Sequence, residues 1–327
     1  MTEMMHDPRA EIDQLAEATI AALRAPSILN TQPWRWRLVG NTAELWLDRE
    51  RQLPNVDPDG RMLMLSCGIA LDYALTALRA AGYSGEAHRL DDERQPDRVA
   101  SLRRGVRQEP EQVNYRAIYQ RRTDRRPFAD TPPTAEDLDQ LRAAAERHGA
   151  HLHVLREDQV AELAVAVAHA GSLERNEIPV AADIAAWTNR PASTRDGISM
   201  RTVTAGGPRT VRPRDFTGGR HPWLDYGPGT DGGTVYVVLF TDRDDPRDWL
   251  AAGEAFSDLW LSLTARGLAA SPISEIVEMP STRESLRALL GGVGHPAVAM
   301  RIGVPVNPDD PPPASIRRSG TDVIDLP

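Results

Sequence analysis

67-CGIALDYALTALRAAGY-83 and 252-AGEAFSDLWLSLTARGL-268 are two copies of one helical pattern, and they occur at a constant spacing along the chain. The aligned pairs are Gly68 with Gly253, Ala70 with Ala255, Leu78 with Leu263, Ala80 with Ala265 and Gly82 with Gly267. The first glycine of each copy permits close packing near the start of a long helix, and the last suits the left-handed turn that ends one. Two similar helices with glycines in register indicate a tandem duplication of one structural unit.

The segments around these two helices predict an α+β fold made of two similar halves. The expected strands lie near 34–39, 43–48, 151–155, 234–241 and 297–305, and the other expected helices lie near 8–24, 134–148 and 157–174. Thr134, placed before an acidic first turn, is a typical helix N-cap. We expect the first half to span residues 1–110 and the second to span 111–327, with the charged stretch 84–112 as a linker.

The second half contains a long segment without a regular apolar pattern. Residues 193–233 are rich in glycine and proline, and a loop of this length is uncommon unless it is functional or disordered. Trp223 and Tyr226 within it favour a functional role over that of a linker. We therefore expect a lid over a binding site, and we assign residues 171–233 to it.

Composition and charge exclude some classes of function. The chain has 327 residues and a net charge of −9, and because it contains no lysine, all 38 basic residues are arginine. A net negative charge argues against a nucleic-acid partner, since phosphate backbones require a basic surface. The single cysteine, Cys67, rules out a disulfide within the chain and fits a reducing cytoplasm.

The N-terminus and the most apolar run give no sign of a membrane partner. The first residues, MTEMMHDPRAEIDQ, are polar and lack the apolar core of a signal peptide. Residues 62–81 are strongly apolar, but Asp72, Thr76 and Arg79 form one helical stripe through them. This pattern is typical of a buried helix in a soluble protein. We expect a cytoplasmic protein.

A polar turn precedes the first strand of the chain. Residues 25–38 read APSILNTQPWRWRL, with serine, asparagine, threonine and glutamine between Pro26 and Pro33. The amide and hydroxyl tips have two interpretations: local hydrogen bonds to the backbone, or presentation to a ligand. The turn alone does not decide between them.

Three further segments are candidates for ligand binding. RRTDRRPF, residues 121–128, has guanidinium groups and a hydroxyl that suit a phosphate, although an isolated cluster of this kind is more often a solvated linker. SIRRSGTDV, residues 315–323, adds two arginines near the C-terminus. SPISE, residues 271–275, is either a helix exit or a Pro-containing turn whose free N–H groups face a ligand.

Together these segments resemble the FMN-dependent nitroreductase family, and the resemblance covers most of the chain. APSILNTQPW is similar to the family's APSSxNxQPW turn, RRTDR to its RRSxR segment, and SPIS to its Pro-centred turn. SIRRSGTDV resembles the family's C-terminal basic segment. The combination of NTQPW, LPNVDPDGR (residues 53–61), SCG and RRTDRRPF is similar to the duplicated, Acg-like branch known from mycobacteria.

The resemblance implies an FMN site between the two halves. Arg121 and Arg317, helped by Arg318, are expected to hold the phosphate, and Arg125 is at the position that contacts and tunes the flavin ring. No protein nucleophile or acid–base pair is implied, because the flavin carries the chemistry. The implied cofactor-binding residues are Pro26, Ser27, Ile28, Asn30, Gln32, Arg121, Arg122, Thr123, Arg125, Pro272, Ile273, Ser274, Arg317 and Arg318.

The motifs are divided unequally between the halves. The first half carries APSILNTQPW but no RRTDR, whereas the second carries RRTDR, SPIS and the terminal arginines but no such turn. Family sites form between subunits, so this chain is expected to complete one site across its halves. We predict one FMN per chain, in a monomer that imitates a dimer.

The resemblance also implies a reaction. NADH or NADPH would reduce the flavin, which would then reduce a small organic acceptor such as a nitroaromatic compound or a quinone. The alternative is a protein that stores or sequesters FMN under its lid in stress or dormancy physiology. No metal site is expected, because His148, His151 and His153 surround a short strand, which is more often a surface arrangement than a metal site.

Overall fold

The computed structural model describes residues 8–325. The helices are α1 (Pro8–Ala22), α2 (Arg61–Ala80), α3 (Gln112–Gln120), α4 (Ala135–Glu146), α5 (Glu157–Asn176), α6 (Ile178–Thr188), α7 (Pro246–Ala265), α8 (Glu275–Glu278) and α9 (Pro280–Leu289). The strands are β1 (Trp34–Val39), β2 (Thr42–Leu47), β3 (Tyr83–Arg89), β4 (Arg98–Arg107), β5 (Ala150–Val154), β6 (Val235–Thr241), β7 (Ala269–Ile273), β8 (His295–Gly303) and β9 (Ile324–Asp325).

The strands form two sheets, and each sheet supports one long helix. The first sheet has the order β3-β4-β2-β1-β9 and the second has the order β5-β6-β8-β7. Helix α2 packs on the first sheet and α7 on the second, and the two helices pack against each other. The fold is therefore α+β, as predicted, with the two long helices between the two sheets.

The two long helices cross at the glycine pair that the sequence aligned. A Cβ atom on Gly253 would lie 2.1 Å from the carbonyl oxygen of Leu65 and 2.9 Å from Cα of Gly68. At the other end of each copy, Gly82 and Gly267 have φ angles of +82° and +77°, which is the left-handed conformation. The predicted close packing and the predicted helix ends are both confirmed.

Replacing Gly253 by alanine is expected to lower the free energy of unfolding by about 2–3 kcal/mol, because the added methyl group pushes α7 away from the backbone of α2. Denaturant unfolding measures the loss. Gly171→Ala, inside α5, is the matched control, since its Cβ would meet nothing nearer than Arg175 Nη1 at 3.4 Å. The control is expected to gain about 0.5–1 kcal/mol. Equal losses in both variants would contradict the importance of this crossing.

The charged stretch 84–112 is part of the first sheet, so the expected linker is wrong. It holds most of β3 and all of β4, which pair antiparallel, and β4 also pairs with β2. Val99, Ala100 and Leu102 of β4 are buried, whereas Arg103 is exposed. The arginines on the solvent face hid the short apolar face that makes this segment a strand.

The last strand of the chain returns to the first sheet. Strand β9 pairs parallel with β1, and the backbone N–H of Trp36 donates to the carbonyl of Val323 at 2.8 Å. The segment that leads into β9 contains the C-terminal arginines. They are therefore brought to the turn that precedes β1, although they lie at the opposite end of the sequence.

Helix α2 is deeply buried. Among residues 8–325 it is the one helix long and apolar enough to cross a membrane, and 89% of its most apolar window is buried inside the protein. Asp72 on this helix accepts hydrogen bonds from Ser257 Oγ of α7 at 2.7 Å and from Arg79 Nη2 at 3.2 Å. The predicted burial of this helix is confirmed, and its polar stripe makes bonds within the protein.

Candidate functional site

The turn before β1 has an unusual backbone conformation. Leu29, Asn30 and Gln32 have positive φ angles of 43°, 56° and 50°. Residues other than glycine rarely adopt this conformation, and those that do are held by their surroundings, often at functional sites. Here the backbone N–H of Gln32 donates to Ser27 Oγ at 2.8 Å, which closes the turn on itself.

The side chain of Asn30 joins three parts of the chain. Its Nδ2 donates to the carbonyl of Gly197, in the segment 171–233, at 3.0 Å and to the carbonyl of Ile316 at 3.1 Å. Its Oδ1 accepts from Arg317 Nη1 at 2.9 Å. The local hydrogen bond that the sequence interpretation expected is found at Ser27, whereas the bonds of Asn30 are long-range and assemble one wall of a cavity.

A narrow cavity of about 380 Å³ lies beside this turn. Arg121, just after α3, and Arg317, from the C-terminal segment, both line it. Arg121 is 6% exposed, its Nε donates to the hydroxyl of Tyr73 at 2.9 Å, and its guanidinium lies 4.4 Å from the ring centre of Trp260. Arg317 donates to two backbone carbonyls ahead of the turn, at 3.1 and 3.2 Å. The cavity therefore has a cationic wall built from distant parts of the sequence.

The protein does not neutralise these two cations. Within residues 8–325 neither guanidinium has a carboxylate at ion-pair distance, and Arg121 Nη1 is buried without a hydrogen-bond partner. Burial, followed by the charge of Arg121, lowers the pKa of Arg317 to about 9. Arg121 is buried and Arg317 is half-buried. A cation shielded from water without a partner is costly, so the pair suits an anionic ligand. Phosphate fits the chemistry, because it accepts charge-assisted bonds from guanidinium groups.

A wider cavity of about 960 Å³ adjoins the narrow one. The residues that line both cavities are Pro26, Ser27, Thr123, Arg125 and Ile198. The wider cavity is also lined by the predicted residues Ile28, Pro272, Ile273 and Ser274, and by apolar residues that include Val211, Phe216 and Val298. The narrow cavity is thus cationic, and the wider cavity has a mostly apolar surface that also includes arginine side chains (Arg125, Arg209, Arg212, Arg214 and Arg301). This arrangement suits a ligand with a phosphate and an apolar body.

Pro272 lies in an edge strand, and the predicted Pro-centred turn directly after the helix is wrong. Residues Ala269–Ile273 form β7, in which Pro272 is opposite Met300 of β8. An edge strand tolerates proline, because the missing N–H faces away from the ladder. On the free side of β7, the backbone N–H of Asp124 donates to the carbonyl of Ala270 at 2.9 Å. This bond places RRTDR beside SPIS, and both segments therefore line one cavity.

Arg125 lies where the two cavities meet. Its Nη1 donates to the carbonyl of Thr202 at 2.9 Å, and its guanidinium is 5.0 Å from the ring centre of Phe216. Burial is the main cause that lowers its pKa to about 10, and the charge of Glu275 acts in the opposite direction. A half-buried cation therefore stands between the cationic and the apolar parts of the site.

Three of the residues singled out from the sequence, Gln32, Arg122 and Arg318, line neither cavity. Gln32 Oε1 accepts from the backbone N–H of Arg318 at 2.8 Å, and the guanidinium of Arg318 lies 3.5 Å from Asp48. Arg122 Nη1 donates to the carbonyl of Tyr119 at 2.8 Å. These side chains support the turn and the RRTDR segment from behind.

The site also contains acidic residues that sequence patterns did not indicate. Glu275 is 4% exposed and lines the wider cavity. Burial raises the pKa of Glu275 to about 7 and that of Glu174 to about 8. Arg214 donates to both carboxylate oxygens of Glu278 at 2.8 Å and lies 2.9 Å from Glu174. No short sequence motif indicates this network, because its arginine and glutamates come from separate parts of the sequence and meet only in the folded chain.

The spacing that aligns the two long helices relates two cavity-lining residues to a buried ion pair. At the spacing that aligns the two long helices, the cavity-lining residues Ile69 and Ser274 correspond to Glu254 and Arg89. Arg89 Nε and Nη2 donate to the two carboxylate oxygens of Glu254, each at 2.6 Å, and Glu254 is 2% exposed. An ion pair therefore occupies the place that corresponds to the cavity.

The histidines near β5 have separate partners. His148 Nε2 is 3.2 Å from Asp258 Oδ2, and His153 Nε2 is 2.9 Å from Gln159 Oε1. In the part of the chain that the structure describes, no group of three or more His, Cys, Asp or Glu side chains is arranged to hold a metal ion.

The chain matches a protein-family model and several proteins of known sequence. The model of the nitroreductase family matches residues 118–304. "Putative NAD(P)H nitroreductase Rv3131" of Mycobacterium tuberculosis (strain ATCC 25618 / H37Rv) is 35% identical over 331 residues, covering 98% of this chain and 93% of the relative. "Putative NAD(P)H nitroreductase acg" of the same strain is 32% identical over 323 residues, covering 96% of each chain.

Solved structures show a weaker likeness. The FMN-dependent nitroreductase NfnB from Mycobacterium smegmatis, in complex with NADPH, aligns with a TM-score of 0.39 and 16% identity, covering 64% of this chain and 96% of that one. A "putative nitroreductase in complex with fmn" from Desulfovibrio desulfuricans aligns with a TM-score of 0.37 and 18% identity, covering 65% and 95%. The assignment of the chain to a family follows from the sequence matches and not from these structural alignments. Because the family model spans more than half of the chain and the relatives match nearly all of it, the chain belongs to the nitroreductase family.

Proposed function

We propose that this chain binds one FMN in the paired cavities and uses NADH or NADPH to reduce a small organic acceptor, such as a nitroaromatic compound or a quinone. The observation that carries the proposal is the pair Arg121 and Arg317. Within residues 8–325 these cations have no carboxylate partner, and they stand at one end of a cavity that is otherwise mostly apolar. Relatives named as NAD(P)H nitroreductases support the class of reaction.

Each part of the site has a role toward the cofactor. Arg121 and Arg317 hold the phosphate, and each charge-assisted bond contributes about 1.5–3 kcal/mol. Arg125 supplies positive charge beside the apolar cavity, where it favours the gain of electrons by the cofactor. Pro272 and Ile273 border the ring system with apolar and backbone groups. When bound, FMN would supply the redox chemistry between the nicotinamide donor and the acceptor, so no protein nucleophile is needed.

A stoichiometry of one FMN per chain is expected, because the Arg89–Glu254 ion pair fills the corresponding position on the other side. The molar ratio of flavin released by denaturation to protein measures it. A ratio near one supports the proposal, whereas a ratio near two would contradict it. The same asymmetry supports a monomer whose two halves, 1–110 and 111–327, derive from a duplication and imitate a dimer.

The segment 171–233 is proposed as a lid. Ile198, Val211 and Phe216 of this segment form part of the cavity wall, and Asn30 bonds to its backbone at Gly197.

A cytoplasmic location is part of the proposal, since the single cysteine, Cys67, is buried and free.

The alternative function is storage or sequestration of FMN in stress or dormancy physiology. The lid favours it, because a covered cofactor is less accessible to a nicotinamide donor. Anaerobic mixing of the FMN-loaded protein with NADPH and with NADH separates the two functions. Rapid loss of the yellow flavin colour supports the oxidoreductase, and a protein that stays yellow with both donors supports storage. A chain that does not retain added FMN at all would refute both.

A further inference from the structure

Arg209 carries two buried nitrogens that the protein leaves without partners. Its side chain is 1% exposed, and it lines the wider cavity from the lid. Its Nε lies 3.1 Å from Asp231 Oδ2 and also 3.1 Å from the hydroxyl of Tyr226, whose ring centre is 4.9 Å from the guanidinium. Within residues 8–325, neither Nη1 nor Nη2 of Arg209 has a hydrogen-bond partner. The guanidinium of Arg209 is therefore held in place through Nε, while Nη1 and Nη2 remain available to a ligand.

The charge beside this fork is not balanced. Asp231 also accepts from Arg301 Nη1 through both of its carboxylate oxygens, each at 2.9 Å. One carboxylate thus serves two guanidinium groups, and both arginines line the wider cavity. Burial lowers the pKa of Arg301, and the charge of Arg209 lowers it further, although Asp231 acts in the opposite direction. One positive charge remains without a counter-ion in a largely apolar space, which a monoanionic ligand neutralises.

This charge is separate from the cationic pair assigned to the phosphate. Arg121 and Arg317 line the narrow cavity, and Arg209 does not. Arg209 is found instead in the wider cavity, together with Val211, Phe216 and other apolar residues. The two cationic groups therefore face different parts of the site.

We propose that Arg209 binds the carboxylate of the acceptor, so that the enzyme prefers small aromatic or apolar molecules that carry one acidic group. The inference rests on the proposed function and specifies its substrate class. Nη1 and Nη2 offer two parallel donors, which match the two oxygens of a planar carboxylate. Val211 and Phe216 offer apolar surface to the body of the same molecule. Neutral nitroaromatics and quinones then bind less tightly than their carboxylated analogues.

Benzoate and benzamide test the preference, because they have the same size and differ in charge. Both are titrated by calorimetry into the oxidised, FMN-loaded protein. The wild type is expected to bind benzoate about tenfold or more tightly than benzamide. Arg209→Met is expected to weaken benzoate binding about tenfold or more and to change benzamide binding by less than about threefold. The fold survives the change, since Asp231 keeps Arg301 as its partner.

Arg201→Met is the matched control, since Arg201 is an exposed arginine of the same segment that lines neither cavity. It is expected to behave as the wild type does. Equal affinity of the wild type for benzoate and benzamide would overturn the inference. So would a loss of FMN affinity in Arg209→Met, because Arg209 would then belong to the cofactor site. If the chain binds no FMN, the proposed function is wrong. The preference for benzoate over benzamide is then measured by the same titrations into the flavin-free protein, so the two failures are distinguished.

Discussion

Replacing Arg121 by methionine is expected to weaken FMN binding by about 100-fold or more, because about two charge-assisted bonds of about 1.5–3 kcal/mol each are lost. Methionine retains much of the length of the arginine side chain and its sulfur packs on aromatic rings, so the Trp260 ring stays covered although the cation–π contact is lost. Quenching of FMN fluorescence during titration of the flavin-free protein measures the dissociation constant.

Riboflavin, which lacks the phosphate, makes this test specific. The wild type is expected to prefer FMN over riboflavin by about 1,000-fold or more, and the preference in Arg121→Met is expected to fall by about 100-fold, to about tenfold, which Arg317 sustains. If Arg121→Met lost affinity for both ligands equally, Arg121 would be a general structural residue and the phosphate assignment would be wrong.

Arg122→Gln is the control for the loss of a positive charge from the same segment. Arg122 is adjacent to Arg121 but lines neither cavity and donates to a backbone carbonyl. We expect its FMN affinity to stay within about threefold of wild type. In the absence of FMN, the Tm of Arg121→Met is expected to lie within about 3 °C of the wild-type Tm. The lost hydrogen bond to Tyr73 is offset, because the repulsion between Arg121 and Arg317 is relieved.

The part of the fold that follows from apolar periodicity and glycine spacing could be predicted from the sequence. The two long helices, their crossing at Gly68 and Gly253 and their left-handed ends are local or repeated features. Strands β3 and β4 could not be predicted in the same way. Their exposed face is crowded with charged residues, so that only a short apolar set, such as Val99 and Leu102, marks them as strands.

Some parts of the candidate site could likewise be predicted from the sequence, and others could not. The turn at Pro26, the RRTDR segment and SPIS lie together around one cavity, as their shared resemblance implied, because motifs preserve side chains that face a ligand. Arg209, Arg214 and Glu275 could not be predicted, since charged residues are normally assigned to the surface. Their burial depends on partners that no local pattern indicates: Arg209 meets Tyr226 and Asp231, and Arg214 meets Glu174 and Glu278.

Arg214 is the residue on which the lid depends most. Its side chain is 4% exposed, and it joins the lid to Glu278 of α8 and, within the lid, contacts Glu174 at the end of α5. Glu275, also buried, is close enough to add its charge to the same group. One guanidinium therefore faces several carboxylates in a low-dielectric environment, where the removal of a partner leaves buried charge uncompensated.

Arg214→Met is expected to lower the free energy of unfolding by about 3–5 kcal/mol at alkaline pH, and by much less near pH 5. The sign follows from the pKa values of Glu174 and Glu275, which burial raises from 4.5 to about 8 and about 7. Between pH 4.5 and about 8 the folded chain binds more protons than the unfolded chain. The free energy of unfolding therefore falls as the pH rises through this range. Without Arg214 both pKa values rise further, and the fall becomes steeper and extends to higher pH.

Denaturant unfolding of wild type and variant across this pH range measures the difference. Arg212→Met is the matched control, because Arg212 is exposed and lies two residues away on the same segment. Its effect is expected to stay within about 0.5 kcal/mol at every pH. A deficit of Arg214→Met that did not change with pH would show that packing, and not charge, holds the lid. If the deficit grows with pH as expected, then a rise in the rate of flavin reduction by NADPH in the same variant would identify the Arg214 network as the contact that keeps the site covered.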